Sequence, residues 1–342
     1  MPFFIPMLGC PSQCVYCDQR SISGQQDIPA PRQVEQAALA YAGPRPAQLA
    51  FYGGSFTALP WPRQQAYLQA AQPAIQRGII DSIRLSTRPD ALSSQKLAEL
   101  RNLSVSTVEL GIQSFDAGVL QAAGRAYSPQ TALQACLMVR QAGLELGVQL
   151  MTGLPQDTPH KSLGSLAICI ETRADFLRLY PTLVLQNTPL ARLYAAGSYQ
   201  PQELTEAVQL AAHMLALALL NGIAVIRVGM NPSRSLEQAL LAGPYHPAFG
   251  QLAYGALKLQ QAIMLLKKTG PATVKLHYPT AERPLLFGQK NEQWRQLQEL
   301  YPLLIAQENP SLPPGALQAQ LKNGDSETLT QADFLRLYVQ RG

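Results

Sequence analysis

The chain has 342 residues and a mass of 37.2 kDa, with 47% hydrophobic and 14% charged residues. That balance excludes a disordered chain and supplies enough apolar surface for one large α/β core or a domain with an appendage. A net charge of +5 and a pI near 8.9 permit an anionic partner without demanding one. No apolar run approaches the ~20 residues of a membrane span, the start Met1-Pro2-Phe3-Phe4 is unlike a signal peptide, and unpaired cysteines fit the cytoplasm. A cytoplasmic protein with no membrane partner is expected.

In chain order, Phe3-Phe4-Ile5 reads as a short apolar strand ended by Pro6, and a tight loop punctuated by Gly9 and Pro11 follows it. A polar connection over 18–31 leads to a helical pattern over 33–41. Residues 48–52 form an apolar run that stops at Gly53-Gly54, as a strand entering a glycine turn does. A helix over about 62–77, a strand over 82–87, a short helix over 94–101 and a strand over 107–112 come next. Ser128-Pro129 opens a helix as an N-cap followed by a first-turn proline, and Gly143 closes it. The alternation continues with a strand over 146–151, a helix over about 161–172, a strand over 176–180, a long apolar helix over 203–221 and a strand over 223–228. Repeated strand–helix units with short apolar strands predict a parallel sheet, open or closed into a barrel.

From about Gly243 the texture changes. Helical stretches over 249–268 and 291–307 flank one short strand over 272–276, and a Pro/Gly loop over 310–315 precedes a last helix. The expected organisation is a barrel over 1–242 and a smaller, mainly helical appendage over 243–342.

Three of the five cysteines, Cys10, Cys14 and Cys17, are spaced C-x3-C-x2-C in the first loop. Three thiolates at this spacing can ligate three irons of a [4Fe-4S] cube and leave the fourth open for a small molecule. Zinc is an alternative that needs a fourth ligand from far away, the nearest histidine in sequence being His160. A disulfide would leave one cysteine over. Cys136 and Cys169 stand alone within helices and read as small buried apolar residues, and His213 as a core or edge histidine.

In a parallel barrel the active site lies at the C-terminal edges of the strands. The cysteines, Gly53-Gly54, Ser86-Thr87-Arg88, Gln113 and Gly153-Leu154-Pro155 all follow strands, so they fall on one rim.

With these residues in place, the chain resembles the radical S-adenosylmethionine (SAM) enzymes, in particular an Elongator-catalytic-subunit-like branch of stand-alone bacterial type. It is more loosely similar to oxygen-independent coproporphyrinogen III dehydrogenase. The blocks FFIPMLGCPSQCVYC, AFYGGSFTALP, IRLSTRPDAL, VELGIQSFD, LMTGLPQDT, RLYPTLVLQNTPLARLY, VIRVGMNPS and YHPAFGQL carry the resemblance over about residues 2–255, and LFGQKN looks like the tail of such members. The resemblance implies a partial (β/α)6-type parallel barrel of the radical SAM kind. It implies a [4Fe-4S] cluster on Cys10, Cys14 and Cys17 and reductive cleavage of SAM to a 5′-deoxyadenosyl radical. Tyr16 would lie near adenine, and Gly53 and Gly54 at the turn whose backbone receives the methionine amino group. Gln113 and Arg125 would contact SAM, Arg125 near its carboxylate, and Gly153, Leu154 and Pro155 would pass under adenine. Ser86 falls where the dehydrogenase has a glutamate for ribose, and Gln149 where it has an acidic residue.

No residue is assigned to the chemistry on the substrate. Asn231-Pro232-Ser233 and His246-Pro247 are candidates for closing the substrate side. An electron donor such as flavodoxin or ferredoxin is the implied partner, and tRNA is a candidate substrate. Residues 256–300 hold Lys258, Lys267, Lys268, Lys275, Arg283, Lys290 and Arg295 against Glu282, Glu292 and Glu299, seven minus three or +4. This basic flank is expected beside the rim. Too few residues follow 255 for the acetyltransferase domain of Elongator, so use of acetyl-CoA is not expected. Three alternatives remain: a non-catalytic RNA-binding protein with a structural cluster and SAM site, a porphyrinogen-type radical SAM oxidoreductase, and a zinc-stabilised barrel.

Overall fold

A computed structural model describes residues 1–11 and 13–340. Its first unit comprises residues 1–204 and 223–247. Seven parallel strands form one sheet in chain order: β1 (Pro2–Phe4), β2 (Gln48–Tyr52), β3 (Ser82–Thr87), β4 (Val105–Gln113), β5 (Glu145–Thr152), β6 (Phe176–Pro181) and, beyond the short β7 (Val184–Leu185), β8 (Ala224–Val228). Each is a strand expected from sequence, within two residues at either end. β7 pairs antiparallel with β9 (Leu240–Ala242), a small addition that its brevity hid.

The alternation of side chains explains the layering. Leu49, Phe51, Ile83, Leu85, Val108, Leu110, Leu146, Val148, Leu177 and Leu179 are buried. They belong to the face that packs on the helices, as expected for strands of a parallel sheet carrying crossover helices. The other face is polar. At the N-terminal ends of the strands, Gln48 Nε2 lies 3.1 Å from the hydroxyls of Ser82, Ser106 and Thr107, while Gln48 Oε1 accepts from Arg84 Nε at 2.9 Å. Thr107 in turn donates to Glu145 at 2.6 Å. A bulge against β3 brings both Ser106 and Thr107 into this plug. The connecting helices start where the sequence signals them: Ser93, Asp116, Ser128 and Thr158 each cap a helix by accepting a backbone N–H.

The second unit comprises residues 205–222 and 248–342. The helix Leu204–Leu220, expected within the barrel portion, thus groups almost entirely with the C-terminal region. That region is rich in helix, as expected, with Phe249–Thr269 the longest. It also carries a four-stranded sheet of β10 (Thr273–Tyr278), β11 (Ile305–Glu308), β12 (Leu317–Leu321) and β13 (Ser326–Leu329), in the order β11-β10-β12-β13. Sequence reasoning found only β10. The helix expected over 291–307 ends at Leu300, because Pro302 stops it and the following apolar residues enter β11. The β12–β13 hairpin turns at Asn323-Gly324, a hairpin signal available in the sequence. No helix among the described residues is long and apolar enough to cross a membrane.

Candidate active site

At the C-terminal edges of the strands lies a cavity of about 580 Å³. Cys10, Cys14, Tyr16, Cys17, Gly53, Gly54, Ser86, Gln113, Arg125 and Gln149 all line it. The sequence-derived set therefore converges on one place, with one exception. Gly153, Leu154 and Pro155 line a different cavity, together with Asp157, Tyr199 and Gln202. Leu154 instead packs in the apolar cluster that contains Cys14 and Tyr16. Asn231, Pro232 and Ser233 do reach the main cavity, whereas His246 and Pro247 are not among its lining residues.

The cysteine loop is built by its backbone. Leu8 N–H donates to Ile5 O and Cys10 N–H to Met7 O, and Ser55 N–H donates to Leu8 O at 2.8 Å, tying the loop to the glycine turn after β2. Met7 and Gly9 both have positive φ, so the chain doubles back within a few residues. A Cβ on Gly54 would run into Leu8 O and Ile5 O. The glycine there is required by the close approach of the cysteine loop itself, where sequence reasoning had invoked only the approach of SAM. Gly53 has φ +85°, and a Cβ there would meet Gln19, Pro6 and Ile5 only at ordinary van der Waals distance, so its requirement is conformational.

Among the described residues, no three His, Cys, Asp or Glu side chains stand as a ready-made metal group. The thiols nevertheless have unusual surroundings. Burial, followed by the neighbouring Cys14, pushes the Cys17 thiol up to about 12, and Gln19 Nε2 points at Cys17 Sγ from 3.5 Å. Arg125 has only 7% of its surface exposed. Its Nη1 donates to Tyr16 Oη at 2.8 Å and lies 3.3 Å from Cys14 Sγ; Nε donates to Tyr127 Oη at 2.5 Å, and Nη2 to Gly111 O. Every one of these partners is neutral unless Cys14 is a thiolate. Most of the donors are also engaged, which leaves little for the SAM carboxylate that sequence reasoning assigned to this residue.

Gln113 closes β4 with φ +72°, a strained value for a residue with a Cβ. Its Oε1 is buried and lacks a hydrogen-bond partner among the described residues. Gln149 and Ser86 are joined, Gln149 Nε2 lying 3.3 Å from Ser86 Oγ and 3.2 Å from Glu109 Oε2.

Glu109 is the centre that sequence reasoning missed. Fully buried, it accepts Arg178 Nε at 2.7 Å, Arg84 Nη1 at 3.1 Å and Tyr52 Oη at 2.9 Å. Burial works to raise its pKa, but the Arg178 and Tyr52 hydrogen bonds and the charge of Arg84 hold the carboxyl below its usual range. Arg178, Tyr180 and Arg227 extend this polar face along the cavity wall. Their signal was Arg178 and Tyr180 alternating with Leu177 and Leu179 in β6, and the single Arg227 in the otherwise apolar β8, legible only once the inward face was known.

A parallel half-barrel with a cysteine-lined cavity at its C-terminal edge defines an α/β enzyme scaffold. The Radical SAM superfamily profile matches residues 4–163 and the Radical_SAM C-terminal domain profile residues 174–259, and the chain belongs to the radical SAM superfamily of enzymes. It is 26% identical over 196 residues to the heme chaperone HemW of Escherichia coli, covering 55% of this chain and 52% of that protein. To the tRNA uridine(34) acetyltransferase of Methanocaldococcus infernus it is 26% identical over 132 residues, 38% of this chain and 25% of that one. To Elongator complex protein 3 of Mus musculus it is 25% identical over 185 residues, 48% and 34% respectively. The matches thus span about half of the heme chaperone's length and about a quarter and a third of the other two. Among solved structures, archaeal Elp3 from M. infernus superposes with a TM-score of 0.54 at 20% identity, over 62% of this chain and 53% of that one. E. coli coproporphyrinogen III oxidase (HemN) does so with 0.50 at 19%, over 65% and 52%.

Proposed function

We propose that the chain is a radical SAM enzyme in which Cys10, Cys14 and Cys17 hold a [4Fe-4S] cluster and the adjoining cavity binds SAM. The observation that carries this reading is Arg125: a buried guanidinium beside Cys14 with no carboxylate partner among the described residues. A buried cation needs a counter-charge, and a cluster on three thiolates is anionic, so the residues present fit that group. The buried, unpartnered Oε1 of Gln113 fits a ligand that donates hydrogen bonds, as the amino groups of SAM do. Cys10, Cys14 and Cys17 would hold the cluster, which would supply one-electron reduction for the cleavage of SAM. The protein's own part is positional. Arg125 and Tyr16 fix the middle of the cysteine loop, Ser55 and Gly54 fix its start, and the Glu109 network holds the wall facing it.

Anaerobic reconstitution tests the reading. About four irons and four sulfides per chain are expected, lost in Cys10→Ala, Cys14→Ala and Cys17→Ala. With a strong reductant, SAM should yield 5′-deoxyadenosine. A full cluster in Cys14→Ala, or zinc in place of iron, would overturn it.

A second element concerns the substrate. We infer an RNA substrate of the tRNA type, delivered to a cytoplasmic enzyme whose reductant is a flavodoxin or ferredoxin. The reading is supported by similarity to two proteins named for tRNA uridine modification or for Elongator and by the exposed cations Lys267, Arg283, Lys290 and Arg295 of the second unit, together with Lys268, which is exposed but ion-paired with Glu327 at 2.5 Å. Lys258 drops out of the expected basic flank: it is buried and ion-paired with Glu282 at 2.5 Å. That pair removes one charge of each sign and leaves the excess at +4.

A further inference from the structure

Arg227 lines the main cavity from β8, and its position depends on a bulge. Leu177 pairs with Val225, but Arg178 pairs with Arg227, so Ile226 is the extra residue. Bulges next to active sites commonly re-aim a side chain. This one sets two arginines in register on neighbouring parallel strands, about 4.8 Å apart between backbones. Like charges so placed repel.

The acids of the barrel interior do not resolve that repulsion. Glu109 is taken by Arg178 and Arg84, and Arg84 also reaches Glu145 at 3.5 Å. Among the described residues no Asp or Glu lines the cavity, and four arginines do: Arg88, Arg125, Arg178 and Arg227. Arg88 is bound by Asp90 at 2.8 Å and Arg125 by two phenols and a carbonyl. Among the described residues Arg227 alone of the four has no ion pair or hydrogen bond, and its Nε is buried without an acceptor. An N–H left in that state costs free energy unless a ligand satisfies it, and a guanidinium offers a planar fork that matches an oxyanion. Tyr180 and Asn231, on the same wall, can add neutral donors.

We propose that Arg227 is the subsite for an oxyanion carried by the substrate, a carboxylate or a phosphate group. The proposal rests on the radical SAM reading of the cavity, and its test separates the two. Melting temperature and calorimetric titration of the full chain are measured with inorganic phosphate and, separately, with acetate, against chloride at equal ionic strength. Phosphate is expected to bind and stabilise the parent. Arg227→Gln should weaken that binding at least tenfold and Arg227→Lys should keep part of it. In chloride, Arg227→Gln should melt no lower than the parent, because it removes a like-charged neighbour of Arg178.

Equal stabilisation by acetate identifies the source as a carboxylate; stabilisation by phosphate alone identifies a phosphate group. Phosphate effects equal in parent and Arg227→Gln, or no effect of either anion beyond chloride, overturn the proposal. So does a tenfold loss of SAM affinity in reconstituted Arg227→Gln, which would move Arg227 into the cofactor site. If the anion effect depends on Arg227 but the parent neither assembles a cluster nor binds SAM, the subsite stands and the radical SAM reading falls.

Discussion

Arg125 Nη1 donates to the hydroxyl of Tyr16 at 2.8 Å, joining residues 109 positions apart and pinning the middle of the cysteine loop to the segment after β4. Hydrogen bonds from a charged donor contribute about 1.5–3 kcal/mol. Arg125→Ala should therefore lower stability by roughly that amount and reduce iron and sulfide content severalfold on reconstitution. Tyr16→Phe should do so only mildly, since Arg125 keeps its other partners. Iron analysis beside thermal melts separates loss of the loop from loss of the fold.

Glu109 makes the strongest case for a fragile core. Glu109→Gln leaves the Arg178 and Arg84 guanidiniums without their shared carboxylate, and breaking a buried pair costs about 3–5 kcal/mol. Because its folded pKa is depressed, its contribution is present above the carboxylate's unfolded pKa and is lost as pH falls through the lower folded value. Melting temperatures of the parent and Glu109→Gln should differ widely at neutral pH and converge in acid. A constant gap would contradict the ionised assignment.

The adjacent glycines of the turn after β2 should fail differently. Gly54→Ala drives a Cβ into Leu8 O and Ile5 O, so it should displace the cysteine loop and lower cluster content. Gly53→Ala meets no clash and should cost only backbone strain, about 1–3 kcal/mol, with cluster content largely retained. Reconstitution yields of the two variants give the comparison.

Cys136 and Cys169 are fully buried, and burial pushes the Cys136 thiol up to about 12 and that of Cys169 well above its ordinary value. Neither should react with iodoacetamide in the native apoprotein at neutral pH, and Cys136→Ala and Cys169→Ala should keep the full cluster. Mass spectrometry of alkylated peptides checks the first expectation. Labelling of Cys169 before unfolding would contradict it.

If RNA is the substrate, bulk tRNA should bind at low salt and weaken steeply as salt rises, because phosphate contacts release counterions. Lys267→Glu with Lys268→Glu should reduce both the affinity and the salt slope. Binding indifferent to salt and charge reversal would point to a small molecule or a protein instead.

The barrel was legible because each of its strands is a short apolar run ended by Gly, Pro or a polar cluster, and those ends are where the chemistry collects. Cys10, Gly54 and Gln113 could thus be gathered before any coordinates, while Arg125, which follows the helix Ala117–Ala122, came from the family resemblance alone. Glu109, Arg178 and Arg227 could not. A charged residue inside an apolar strand reads as an outward exception until the partner across the barrel is seen, and those partners lie 25 to 69 positions away for Glu109. Strand β11 was hidden for another reason: Leu303, Leu304 and Ile305 prolong a helical apolar pattern that Pro302 interrupts, whereas β12 and β13 did carry a signal in the Asn323-Gly324 turn between them.

The plug of Gln48, Ser82, Ser106, Thr107 and Glu145 has a consequence for how the sheet tolerates change. Its members are contributed by four different strands, and each satisfies polar atoms of the others. A strand slipped by two residues would keep its apolar face correct yet break this set. The plug therefore discriminates between alignments that hydrophobic patterning alone would leave nearly equal in energy. It also makes the layer resistant to piecemeal replacement: one apolar substitution leaves half-buried partners and the buried Thr107 without some of their hydrogen bonds, whereas exchanging the whole group together can be almost neutral. Lineages should accordingly carry this layer either intact or wholly apolar, with intermediates rare.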